Sequence, residues 1–85
     1  MRADRVLNDF ARELRKARLR AGFRSAQGFA DKIGLEPHTY RKYERGNTHP
    51  PLEVLIRICD NLGITPNDLI PAPTKKRFDS LLTYS

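Results

Sequence analysis

One cysteine, Cys59, stands in the chain of 85 residues, so no intramolecular disulfide can form. Histidine is almost as scarce: His38 and His49 do not combine with Cys59 at zinc-ligand spacing, and no metal is expected. No apolar run approaches the roughly 20 residues that span a bilayer. Nor does an apolar core follow Met1-Arg2-Ala3-Asp4-Arg5, as it would in a secretory signal. The expected location is the reducing cytoplasm, in association with the nucleoid and without a membrane partner. Nucleophile, base and orienting group do not converge anywhere, so neither an enzyme nor a cofactor is expected. Internal repeats are missing, as is any alternating pattern long enough for a β-strand. Acid is also short, since 10 Asp and Glu face 16 Lys and Arg and leave a net charge of +6. That imbalance favours a polyanionic partner such as nucleic acid.

What is present is a hydrophobic fraction of 39%, enough for the core of one small domain but not for a deep pocket. The most informative stretch is LEPHTYRKYERG, Leu35 to Gly46. At about 100° per residue, His38, Arg41, Lys42 and Arg45 share one stripe while Tyr40 and Tyr43 lie opposite. Pro37 suits a first helical position and Gly46 a left-handed terminator, so the spacing predicts one helix of about two and a half turns. A helix so short needs packing on its tyrosine side, which leaves a basic ridge outside.

The neighbouring segments supply that packing. Leu7, Phe10, Ala11, Leu14, Ala17 and Ala21 recur as one face of a helix over Asp4 to Ala21, with Asp4 or Asn8 as candidate cap and Gly22 as stop. Its polar side carries Arg12, Arg15, Lys16, Arg18 and Arg20, charges that equally complement the helix C-terminal dipole. Ser25 caps a second helix, Ala26 to Ile33, ended by Gly34. Two short helices joined by so tight a glycine-containing turn form a helix-turn-helix pattern. Pro50 and Pro51 end the following loop, and Leu52, Leu55, Ile56, Cys59 and Leu62 predict the buried stripe of a fourth helix before Gly63. Thr65-Pro66-Asn67-Asp68 opens a short fifth helix, closed by Pro71. The division expected is a domain over residues 1–71 and a basic linker and tail over residues 72–85. Phe78, Leu81 and Leu82 either form an amphipathic turn that docks or dimerises, or stay disordered.

From Leu14 to Ile70, about two thirds of the chain, the sequence resembles the phage-repressor and Cro-like (XRE-type) helix-turn-helix family. The resemblance is carried by FADKIGL (Phe29 to Leu35), TYRKYERG (Thr39 to Gly46), Pro50, and PLEVLIRICDNLGI (Pro51 to Ile64). It implies an all-α fold, a compact five-helix lambda-repressor-like bundle whose third helix enters the DNA major groove while the second crosses the backbone. The shared core would be Leu14, Phe29, Ile33, Leu35, Tyr40, Tyr43, Leu52, Leu55, Ile56, Cys59, Leu62 and Leu69. An ion pair between Arg18 and Glu44 is implied too, setting the angle of the third helix. The chain departs from the family pattern at Glu36, where Ser or Thr is usual, and at Ala26, where Gln is common; the nearby Gln27 is the candidate substitute.

Base readers are then expected on the third helix. Arg41 and Lys42 can donate to guanine, His38 can donate to N7 or O6 acceptors, Glu36 can accept from cytosine N4, and Pro37 offers apolar contact. Phosphate contacts are expected from Arg24, Ser25, Gln27, Arg45, Asn47 and Thr48 at the flanks. These features predict a sequence-specific regulator of transcription, a repressor that binds double-stranded DNA as a homodimer on a pseudo-palindromic operator. The alternative is an interaction module, an antitoxin or adaptor that grips a protein partner through the C-terminal tail.

Overall fold

The apolar spacing of the first segment becomes helix α1, Arg2–Arg20, in the computed structural model, which describes residues 2–70. Ala11, Leu14 and Ala17 are buried along it. Helical backbone already runs through Asp4 and Asn8, so neither is the expected cap, and Ala21 lies beyond the helix on the surface rather than in the core. Gly22, at φ +95°, turns the chain, and the Phe23 amide returns to the Arg18 carbonyl at 3.1 Å. The turn drops Phe23 onto the core.

Helix α2, Ala26–Ile33, starts where expected, because the Ser25 hydroxyl accepts from the Gly28 amide at 2.9 Å. Such a cap contributes about 1 kcal/mol. Glycine at 28 suits this closeness, since a Cβ there would sit 2.9 Å from the Ser25 hydroxyl oxygen. Phe29, Ala30 and Ile33 are buried, and Gly34 ends the helix in the left-handed conformation.

Helix α3, Pro37–Glu44, starts at Pro37 as expected, with Glu36 as its N-cap, Arg45 as its C-cap and Gly46 just beyond in the left-handed conformation. Both Glu36 carboxylate oxygens fold back to accept from the His38 and Thr39 amides. Gly46 is doubly constrained. Its φ of +75° lets the Asn47 amide reach the Lys42 carbonyl at 3.0 Å, and a Cβ there would meet the Asn8 amide oxygen of α1 at 2.5 Å. Inward, an edge-on series of rings runs Phe23–Phe29–Tyr40–Tyr43, with centroids 4.9, 5.4 and 6.3 Å apart. Each such pair contributes about 0.5–1.5 kcal/mol beyond its buried area, and the Phe29–Tyr40 pair ties α3 to α2.

Helix α4, Leu52–Leu62, carries the main correction to the predicted core. Ile58, Cys59 and Leu62 are buried and Val54 and Leu55 pack beside them, whereas Leu52 and Ile56 are 71% and 45% exposed. Apolar residues occupy positions 52, 54, 55, 56, 58, 59 and 62, so two overlapping stripes fit the helical period. The inward stripe is the one containing Ile58. Beyond Gly63, the expected fifth α-helix is a single 3-10 turn, Pro66–Leu69. Its start is tied by the Asp68 carboxylate, which accepts from the Thr65 amide at 3.0 Å. Extended geometry at Ile70, the residue before Pro71, prevents a further turn. Leu69 is nonetheless fully buried against the bundle.

The architecture is therefore all-α, four helices and a 3-10 turn around one core, with no strand among the described residues. Residues 72–85, with the proposed docking turn at Phe78, Leu81 and Leu82, lie outside the described residues.

Candidate nucleic-acid interface

The inner side of α3 is held by a polar junction as well as by its rings. Arg18, on α1, donates from Nε to Glu44 Oε2 at 2.6 Å and from Nη2 to Glu44 Oε1 at 3.0 Å. Its third contact runs from Nη1 to the Phe23 carbonyl at 2.9 Å. The Tyr40 hydroxyl, one turn before Glu44, donates to Oε2 of the same carboxylate at 2.5 Å. The two charged side chains are only 7% and 9% exposed.

Burial decides what this junction does. Two charges removed from water return little net stability, but loss of either partner strands the other, a cost of about 3–5 kcal/mol. Hydrogen bonding to Glu44 raises the Arg18 pKa against the opposing effect of burial, so the guanidinium stays charged. Burial, reinforced by the hydrogen bond and charge of Glu44, pushes the Tyr40 hydroxyl well above its ordinary 10.0 and keeps it a donor. Tyr40 was legible in the sequence only as an apolar anchor; its i, i+4 spacing to Glu44 is the signal for the added polar role.

The outer side of α3 has the opposite character. His38 and Arg41 are exposed, Lys42 is half-buried, and Arg45 stands exposed at the end of the helix. Glu36 and half-buried Pro37 form its leading edge. Arg24, Ser25 and Gln27 are exposed around the start of α2, and Asn47 and Thr48 are exposed in the loop after α3. One hydrogen bond joins the two groups, from Arg41 Nη2 to Gln27 Oε1 at 3.1 Å. On α1, Arg12 is engaged by Asp9 at 2.7 Å and Lys16 by Glu13 at 3.7 Å, so those two cations are partly spent within their own helix.

A paired-helix frame whose second member is anchored on one face and cationic on the other defines a helix-turn-helix protein. The Helix-turn-helix domain family matches residues 9–70. The SPbeta prophage-derived HTH-type transcriptional regulator YonR of Bacillus subtilis is 34% identical over 70 residues, 82% of this chain and 63% of YonR. The chain thus spans less than two thirds of that relative's length. Among solved structures, the restriction-modification controller protein C.AhdI from Aeromonas hydrophila superposes with a TM-score of 0.67 at 28% identity. That match covers 74% of this chain and 94% of C.AhdI. The chain belongs to the helix-turn-helix domain family.

Among the described residues, no helix is long and apolar enough to cross a membrane, and no group of His, Cys, Asp and Glu could hold a metal ion.

Proposed function

We propose that this chain is a cytoplasmic, sequence-specific repressor that binds a pseudo-palindromic operator as a homodimer, with α3 in the major groove. The observation that carries the reading is the two-sidedness of α3. Its inner face is fixed by Tyr40, Tyr43 and the Arg18–Glu44 pair, and its outer face presents His38, Arg41 and Lys42. Arg41 and Lys42 would donate to guanine O6 and N7, and His38 to a base acceptor. Glu36 is committed to the helix cap; its remaining lone pairs could still accept from a cytosine amino group. Pro37 would offer an apolar surface. Arg24, Ser25, Gln27, Arg45, Asn47 and Thr48 would hold phosphates, and the Ser25 hydroxyl, which accepts within the cap, keeps its own proton to donate.

A helix of this length reads few base pairs, so useful specificity calls for two half-sites about 34 Å apart. The exposed Leu52 and Ile56, one turn apart on α4, supply an apolar face for a second copy. Sedimentation of the Leu52→Ser, Ile56→Ser double variant should show a monomer with a melting temperature close to that of the parent. An unchanged dimer would place the interface elsewhere.

Selection from randomised duplex DNA, followed by affinity over a salt series, tests the whole reading. A two-fold motif should emerge, with log K falling by about 0.9 per neutralised phosphate. Recovery of no motif would defeat sequence-specific recognition. The interaction-module alternative depends on the tail beyond residue 71, outside the described residues.

A further inference from the structure

We infer that Gln27 is a positioning residue for Arg41, setting the direction in which that arginine meets a base and so contributing to specificity without touching the base itself. The inference rests on the proposed reading of DNA by α3. Its basis is the 3.1 Å hydrogen bond from Arg41 Nη2 to Gln27 Oε1, which crosses from the middle of α3 to the first turn of α2.

The donor inventory fixes the sense of this contact. Arginine has five N–H donors and no acceptor, so the oxygen of the Gln27 amide, not its nitrogen, must face Arg41. One guanidinium proton is engaged, which leaves four for the two acceptors of a guanine edge. The Gln27 amide nitrogen keeps two protons for the DNA backbone. A single neutral side chain can therefore span the strand that positions the protein and the arginine that reads the sequence. Glutamate at 27 could also accept from Arg41, but its charge would oppose the phosphates.

Exposure decides where the bond matters. Gln27 and Arg41 both stand in water in the free protein, where such a contact adds little to folding. Once DNA excludes water from the interface, an arginine already held in one direction gives up less side-chain freedom on binding than an unrestrained one. The consequence belongs to recognition, not to the fold.

Three variants of the full chain test this: Arg41→Ala, Gln27→Met, which keeps the length but removes the amide, and Gln27→Glu, which restores an acceptor. Each is measured for affinity to the selected operator and to duplexes substituted at each base pair, alongside thermal melting. Arg41→Ala should identify one base pair whose preference falls by about 5- to 100-fold. Gln27→Met should weaken preference at that same base pair by several-fold, leave the other positions and the melting temperature unchanged, and have no further effect on preference in the Arg41→Ala background. Gln27→Glu should retain the preference while lowering affinity for all duplexes. If Gln27→Met weakens every duplex alike with the preference intact, Gln27 is a phosphate contact only and the inference falls, although reading by α3 survives. A parent protein without preference at any position overturns both.

Discussion

Among the described residues, two arginines hold a side-chain oxygen of a neighbouring element, and their settings are opposite. Arg18 reaches from α1 to Glu44 inside the bundle, with both partners almost fully covered, while Arg41 reaches from α3 to Gln27 at the surface. The donor is the same. What differs is water. Inside, the contact cannot be exchanged for solvent, so its loss should be felt by the fold; outside, solvent replaces it, and only a partner that expels water should give it weight. The contrast separates supporting α3 from using it.

The largest effect should come from breaking the inner contact. Glu44→Ala leaves the Arg18 guanidinium and the Tyr40 hydroxyl without their shared acceptor and should cost about 3–5 kcal/mol in chemical denaturation. Operator affinity should fall with it as α3 loses its set angle. A melting temperature and an affinity both equal to the parent's would remove the distinction between the two arginines. Next comes the outer contact: Arg41→Ala should lower operator affinity by about 1–3 kcal/mol and relax one base position. Its stability should stay within about 0.5 kcal/mol of the parent, as for other exposed sites.

The smallest of these effects should come from the inner junction's remaining hydroxyl. Tyr40→Phe should cost about 1 kcal/mol. Alkaline titration sharpens the point. The folded state holds the Tyr40 proton above the ordinary 10.0, and burial, with the charges of Asp60 and Asp68, pushes the Cys59 thiol from 9.0 to about 11. Both acids ionise first in the unfolded chain, so the stability they contribute is complete below about pH 9 and declines as pH rises through 9 to 11 and beyond. The melting temperature should fall across that range, and less steeply in Tyr40→Phe. Equal slopes in parent and variant would mean that Tyr40 takes no part.

Much of this arrangement was legible from local chemistry. Ser25, Gly34, Gly46 and Gly63 mark helix ends because capping and positive φ depend on neighbours within a few residues. The paired helices and the two-sided α3 followed from the same short-range rules. The phase of α4 did not, because apolar side chains cover so much of its circumference that only packing on Tyr40, Phe29 and Leu14 could choose between stripes. Local rules also missed the 3-10 character of Pro66–Leu69, whose proline and capping residues suit either kind of turn. At the candidate site, residue types and their face were readable. The folding back of Glu36 and the link between Gln27 and Arg41 were not, because each depends on a rotamer, and the link also depends on the angle between two helices.

The ring series through α3 has an optical consequence. The chain has no tryptophan and three tyrosines, and Tyr40 and Tyr43 both belong to α3. Two of the three tyrosine chromophores therefore lie in the helix proposed to meet DNA, and one of these two is hydrogen-bonded to a carboxylate. The protein carries a built-in chromophore at its working element, so the seating of α3 can be followed without attaching a dye.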